Sequence, residues 1–382
     1  MLGINSNINS LVAQQNLNGS QSALSQAITR LSSGKRINSA ADDAAGLAIS
    51  TRMQTQINGL NQGVSNANDG VSMIQTASSA LSSLTSSLQR IRQLAVQAST
   101  GSLSSSDQAA LQKEVSAQIA EVNRIASQTT YNGTNILDGS AGSVTFQVGA
   151  NVGQTISLDL SQSMSAAKIG GGLVQTGQTV GTIAVNTDAT GTYTSTGATI
   201  TSVNVLSDGK GGYTFTDQNN QAISSGAVSN IFSAGTASGT GTAITNLTLN
   251  ATLATAMGAT ASGVATASIA QINAINNPPT VSGLDISTVT GANEAMVSID
   301  NALQTVNTLQ AALGAAQNRF TAISTSQQAE STDLSSAQSQ ITDANFAQET
   351  ANLSKAQVLQ QAGISVLAQA NSNPQQVLKL LQ

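Results

Sequence analysis

"IDNALQTVNTLQAALGAAQNRFTAISTSQQAESTDLSSAQSQI", residues 299–341, carries the most regular pattern in the chain. Ile299, Ala302, Val306, Leu309, Leu313, Ala316, Phe320, Ile323, Gln327, Glu330, Leu334, Ala337 and Ile341 follow one another in alternating steps of three and four. Only Gln327 and Glu330 among them are polar. Steps that average 3.5 residues hold a narrow apolar seam on one side of a helix, as in a coiled coil, and no proline interrupts the run. At 1.5 Å per residue the helix spans roughly 60 Å, longer than one compact domain.

A seam needs a partner. Met53, Ile57, Leu60, Val64, Ala67, Val71, Ile74, Ala77, Leu81, Leu84, Leu88, Ile91, Ala95 and Ala98 keep the same rhythm, with one irregular step near Ile74. Gly59, Gly63 and Gly70 each weaken an isolated helix by about 1 kcal/mol, so packing must hold this one together. After the Thr100-Gly101 break, "SSSDQAALQKEVSAQIAEVNRIAS" (104–127) predicts a shorter helix with Leu111, Val115, Ile119, Val122 and Ile125 on one face. Its Ser and Asp residues suit the N-terminus.

Val144, Phe146 and Val148 alternate, as do Ile156, Leu158 and Leu160, with a Gly/Asn-rich link between them. That pattern predicts a hairpin over 144–160. From about Gly170 to Asp285 the chain is rich in Gly, Thr, Ser and Ala, with short alternating pieces such as "YTFTD" (213–217), and Lys210 is its only basic residue. The expectation is an inserted all-β domain, because a disordered linker rarely keeps so many Val, Ile and Leu. "GGG" (170–172) has no phosphate-loop spacing and reads as a flexible hinge. "NNPPT" (276–280) marks the return to helix.

Ile4, Ile8 and Leu11, then Leu17, Leu24, Ile28 and Leu31, give a helical stripe on residues 1–31. Leu359, Ala362, Val366 and Ala370 give a second, followed after Pro374 by Val377, Leu378, Leu380 and Leu381. Each stripe is too thinly apolar to bury itself in a monomer. They either finish an intramolecular bundle or are buried by neighbouring copies; heptads call for a helix partner without saying whose helix it is. The plan is nested, with end pairing end and long helix pairing long helix around the central insertion.

Composition narrows function. The 382 residues are 40% apolar but only 2% aromatic and 8% charged, against a usual charged share of about a quarter. A surface kept in solution by neutral polar groups tolerates close neighbours. A net charge of −5 without a Lys/Arg cluster speaks against nucleic acid. Zero Cys removes disulfides and thiol chemistry, and zero His removes the commonest general base and metal ligand. Asp42 and Asp43 point to different faces and make a poor acid–base pair; a junction role, pairing with Arg36 or Arg30, is expected instead. No cofactor, metal site or enzymatic activity is expected. The N-terminus shows no Sec-type signal, and no apolar run approaches the ~20 residues of a membrane span, so no membrane insertion is expected.

"MLGINSNINSLVAQQNL" (1–17), "LSSGKRINSAADDAAGLAIS" (31–50), "LQRIRQLAVQAS" (88–99), "LGAAQNRF" (313–320) and "SKAQVLQQAGISVLAQAN" (354–371) resemble bacterial flagellin, the filament subunit. The likeness covers roughly residues 1–170 and 290–382 and consists of long runs. It implies a mainly α fold with inserted β: long antiparallel coiled-coil helices from the N- and C-terminal regions, a β-hairpin, and a central all-β variable domain. Residues 1–43 and 343–382 would form the filament core. Residues 44–175 and 286–342 would form the coiled-coil domain, and 176–285 the outer domain. Ile4, Ile8, Leu11, Leu24, Ile28, Leu31, Leu359, Val366, Leu367, Val377 and Leu381 would be the assembly residues.

The resemblance further implies a homo-oligomeric helical filament outside the cell and export unfolded through the flagellar type III apparatus. The partners it implies are an export chaperone at the C-terminal helix, and filament cap and hook-junction proteins. It also implies recognition of the monomer by Toll-like receptor five through Gln89, Arg90, Leu94, Gln97 and Glu114. Gln93 and Gln118 depart from residues common in relatives, as do Gln338, Gln340 and Asn345 at the C-terminal junction. Read from the residues alone, Arg90 and Arg92 suit an exposed helix face with intersubunit ion pairs. A zinc protease insertion, found in some flagellins, would need His. The rival readings are a hook–filament junction protein and a secreted adhesin centred on 176–285.

Overall fold

The computed structural model describes residues 7–174, 176–234 and 246–380, apart from the side chains of 234 and 373–380. In chain order the helices and strands are α1 (Ile8–Ser33), α2 (Ala44–Ala98), α3 (Ser105–Gln128), β1 (Thr130–Tyr131), β2 (Thr134–Asn135), β3 (Gly142–Gln147) and β4 (Thr155–Leu160). They continue with β5 (Thr179–Thr187), β6 (Ile200–Ser207), β7 (Tyr213–Asp217), α4 (Ser225–Ile231), β8 (Phe232–Ala234), β9 (Leu247–Leu249), α5 (Ala251–Met257), α6 (Ala259–Ile275), α7 (Val289–Thr342) and α8 (Phe346–Leu380). The two long heptad runs are therefore single helices of 55 and 54 residues, and the expected hairpin is the β3–β4 pair. The chain divides into two compact units.

The first unit comprises residues 1–68, 147–155 and 322–382. α1 starts at Asn7, whose side chain accepts the Ser10 N–H, and stops at Gly34 in the left-handed region, φ 69°. α2 starts where the Asp43 carboxylate accepts the Gly46 N–H at 2.9 Å. The hairpin tip, 147–155, lies against α2 at its glycines. A Cβ on Gly63 would stand 2.1 Å from the Val148 carbonyl oxygen, and one on Gly59 would stand 2.9 Å from Ala150 Cβ. Asn66 donates its side-chain amide to the Gln147 carbonyl at 2.7 Å and closes the contact. Gly59 and Gly63, which weaken α2 as an isolated helix, are the notches that admit the hairpin tip.

The second unit comprises residues 69–146 and 156–321. Its helical part buries Ile74, Ala77, Leu81, Leu84, Leu88, Ile91 and Leu94 of α2, Val115, Val122 and Ile125 of α3, and Ile299, Ala302, Val306 and Leu313 of α7. Phe320, fully buried, lies edge-on to Phe146 at 5.3 Å and against Gly70. α3 opens with a capping box between Ser104 and Asp107.

The inserted part has an antiparallel sheet ordered β5-β6-β7, a short β8-β9 pair, and a core of Val180, Ile183, Val185, Val203, Val205, Phe215 and Phe232. Here the all-β expectation is corrected, because α4, α5 and α6 belong to this part. Ala265, Ile269, Ile272 and Ile275 recur every three or four residues and put one face of α6 into the same core, and its many Ala residues favour helix. Three turns share one device: Asp188, Asp208 and Asp217 each accept the backbone N–H two and four residues ahead. The residue three positions on is Gly191, Gly211 or Asn220, each at positive φ.

The "GGG" connector is packed at Gly170 and Gly171, while Gly172 is exposed with open space around it. A Cβ on Gly170 would lie 2.6 Å from Ser298 Oγ and 2.8 Å from a Val281 methyl, and one on Gly171 would lie 2.9 Å from a Thr280 methyl. Val281 N–H donates to the Ile169 carbonyl and Ser282 N–H to that of Ala166, so the chain's entry to the insertion and its exit are stitched together.

Candidate assembly and recognition surfaces

α1 and α8 pair antiparallel across the whole chain. Near one end, Asn7 donates its side-chain amide to the Ala370 carbonyl at 2.9 Å, and the Ser10 hydroxyl donates to Asn371 Oδ1 at 2.8 Å. Near the other, Arg30 faces Glu349 at 3.9 Å. Between them the seam uses small residues: Ala13, Ala27, Ala356 and Ala370 are buried, and Gly363 comes up against Leu17. Leu24, Leu31 and Leu367 are half-buried along it.

Pairing leaves the other apolar residues outside. Ile8 is 64% exposed, Leu11 68% and Val366 57%; Val12, Ile28, Phe346, Val358, Leu359 and Ile364 are exposed as well. Ile4 and Leu381 lie outside the described residues, as does the side chain of Val377, whose backbone belongs to α8. Sequence reasoning missed Val12, Phe346, Val358 and Ile364, which lie off the one stripe read on each helix. Each helix thus spends part of its stripe on the other and keeps the rest at the surface. An apolar surface that its own chain leaves uncovered marks an interaction site.

The segment joining α1 to α2 runs beside the end of α7. Arg36 N–H donates to the Thr342 carbonyl at 2.7 Å, its guanidinium to the Ile341 carbonyl at 2.6 Å, and Ala344 N–H to that of Gly34 at 2.9 Å. The pairing of Asp42 with Arg36 or Arg30 expected from the sequence is not made. The Asp42 carboxylate accepts the N–H groups of Asn38 and Ser39, the Ser39 hydroxyl and the Gln26 amide. The bond from Ser39 leads in holding its pKa below the ordinary carboxylate value. Gln338 donates across the seam to the Ser50 carbonyl and Gln54 Oε1, so neutral hydrogen bonds add to the charge-assisted ones of Arg36 and Asp42.

Arg90 and Arg92 each find a carboxylate within the chain. Arg90 donates through Nε and Nη2 to Glu114 Oε1 at 2.8 and 2.6 Å and ties α2 to α3. Arg92 grips Asp300 of α7 through both carboxylate oxygens at 2.7 and 3.2 Å. The hydrogen bond and charge of Asp300 raise the Arg92 pKa. Gln89, Arg90 and Gln97 stand exposed on α2, and Glu114 is half-buried beside Arg90. Leu94 is 1% exposed, so in the folded chain it supports the patch from beneath and does not present a surface.

Comparison with known proteins fits this layout. Residues 4–142 match the bacterial flagellin N-terminal helical region, 172–275 the flagellin D2 domain, and 296–381 the bacterial flagellin C-terminal helical region. Flagellin B of Vibrio cholerae is 37% identical over 384 residues, covering 100% of this chain and 99% of the relative. The B-type flagellin of Pseudomonas aeruginosa is 36% identical over 489 residues and covers both in full. The solved structure of FliC from Burkholderia pseudomallei is 66% identical, with a TM-score of 0.60, over 65% of this chain and 99% of that one.

Proposed function

The chain belongs to the bacterial flagellin family, structural proteins of the flagellar filament, and from that premise we propose that it polymerises by burying the outward faces of α1 and α8 between neighbouring copies. One observation carries this reading: Ile8, Leu11, Val12, Val358, Ile364 and Val366 remain exposed although the two helices already pair. Burial returns about 25 cal/mol per Å2 of apolar surface and offsets the cost of ordering the two helices. In this reading residues 1–43 and 343–382 are the filament core. Residues 44–175 with 286–342 form the surrounding coiled-coil domain, and 176–285 faces outward.

Finer steps belong to the same proposal. The subunit leaves the cell unfolded through the flagellar export apparatus, with a chaperone covering the C-terminal helix beforehand and cap and junction proteins bounding the filament. On the free monomer, Gln89, Arg90, Gln97 and Glu114 form the face read by Toll-like receptor five, with Leu94 shaping α2 beneath it. An Arg held by a neighbouring carboxylate is a pre-oriented anchor for such a groove. Among the described residues no helix is long and apolar enough to cross a membrane.

The test is elongation. Full-length protein and a version lacking 1–43 and 343–382 are seeded with filament fragments and followed by light scattering and electron microscopy. Elongation by the full chain alone is expected. Elongation by both, or by neither, refutes the role given to the terminal helices.

A further inference from the structure

The two terminal helices are almost without charge. Arg30 is the only charged residue of α1, and Glu349 is the only acid of α8. The fold sets these two against each other at 3.9 Å, with side chains 24% and 10% exposed. Each stands at the helix end that suits its sign, Arg30 in the last turn of α1 and Glu349 in the first turn of α8. Asn352 donates its amide to Glu349 Oε2 at 3.4 Å, while Arg30 Nε is buried with no partner of its own.

The rest of the seam specifies little. Its buried residues are mostly alanines, and α8 shows further alanines on its exposed sides, Ala347, Ala351, Ala362 and Ala368. Faces of small residues that resemble one another give an apolar seam little to choose between, and a polar group in such a seam is what fixes register. The backbone bond from Ala344 to Gly34 brings the helices out side by side but does not decide which face of each turns inward. Sliding α8 by one turn moves it about 5.4 Å, and rotating it by one residue swings Glu349 about 100°. Either change parts the charges, and a charge left buried without its partner is strongly disfavoured. A buried pair adds little net stability over packed apolar residues, so its value lies in selection. We propose that Arg30 and Glu349 are positioning residues that set the register of α1 on α8 and so decide which apolar residues face outward. In this setting Ile8, Leu11 and Val12 stand outside together with Val358, Ile364 and Val366. The pair thus makes one assembly surface out of helices whose alanines allow several. Its effect on assembly rests on the filament reading, whereas the register itself does not.

The experiment exploits a chain with no cysteine. Ser10→Cys with Asn371→Cys puts a thiol pair at the far end of the seam, where the two side chains meet at 2.8 Å. Oxidation of the full-length monomer and of seeded filaments, read by gel mobility of the intrachain loop, reports the register. In this parent, Arg30→Leu should lower the melting temperature and lose most of the cross-link. Arg30→Leu with Glu349→Leu should restore the melting temperature, because packed apolar residues replace a buried pair without loss. It should not restore the cross-link, and it should elongate about tenfold more slowly, as when about a tenth of the chains holds the competent setting. Arg30→Glu with Glu349→Arg should recover most of the cross-link and of elongation, although each charge then opposes its helix end. A double-leucine chain that cross-links and elongates like the parent overturns the proposal, as does a charge exchange that recovers neither. A parent that cross-links in neither state refutes the pairing and the proposal with it. If the parent cross-links but never elongates, the filament reading falls, and the register is decided on the monomer alone.

Discussion

Gly63→Ala sets two effects of opposite sign against each other. In an isolated helix the change stabilises by about 1 kcal/mol, because alanine loses less conformational freedom. Here the new Cβ would stand 2.1 Å from the Val148 carbonyl oxygen and 2.7 Å from its carbon, both backbone atoms of the hairpin tip. Ordinary contact begins at 3.4 Å, so the tip must retreat by more than 1 Å. Retreat stretches the 2.7 Å bond from Asn66 to Gln147, worth about 1 kcal/mol. Overpacking adds roughly 1–3 kcal/mol. Docking of the tip should therefore weaken by about 1–3 kcal/mol net of the helix gain. Hydrogen exchange over 147–155, read by mass spectrometry on the monomer, should accelerate about 5- to 150-fold, since each 1.4 kcal/mol is a factor of ten. Gly19→Ala on α1, where a Cβ meets nothing within 4 Å, is the control and should raise thermal stability. If Gly63→Ala leaves exchange of the tip unchanged and stabilises as Gly19→Ala does, the notch argument fails.

Three further outcomes are expected. Arg92→Leu breaks a half-exposed bidentate pair with Asp300 and should cost about 0.5–1 kcal/mol in urea unfolding, with the difference shrinking in high salt. The Thr190 hydroxyl, first among several donors, lowers the Asp188 pKa from its ordinary 3.8. Its contribution to the turn is therefore full above that value and lost as pH falls through the lower folded value, and Asp188→Asn should flatten acid sensitivity measured by exchange over 188–192. Burial pushes the Tyr213 phenol up to about 12 from 10, so the inserted part should lose stability as pH rises from about 10 through 12. Tyr213→Phe should remove that loss in thermal melts at alkaline pH.

The heptads of α2 and α7 were legible because a seam of Ile, Leu and Val at steps of three and four has one physical reading. What the seam packs against was not legible. Gly59, Gly63 and Gly70 read as weak points in a helix, and only the fold shows the hairpin tip and Phe320 filling their missing side chains. Arg90 and Arg92 were legible as unusual charges in a chain that is 8% charged, but not their anchoring to Glu114 and Asp300, 24 and 208 residues away. The inserted part misled because Thr, Ser and Ala carry little periodic signal, and the four apolar anchors of α6 are sparse enough to pass for strand residues. On the exposed faces of α1 and α8, Ile8, Leu11, Ile28, Leu359 and Val366 were legible as members of the two stripes, and Val12, Phe346, Val358 and Ile364 were not.

The pairing of α1 with α8 has a consequence for the order of folding. Asn7 finds its acceptor 363 residues along the chain, so this contact closes nearly the largest loop the molecule can form. Loop closure grows costly with length, and contacts of such separation form late. α3 and the β5–β6–β7 sheet close over short spans and can collapse while the two terminal segments are still apart. Until those segments meet, each amphipathic helix lacks the packing partner from which most helical stability comes. The molecule therefore folds from the middle outward, and its most adhesive surface is the last to take shape.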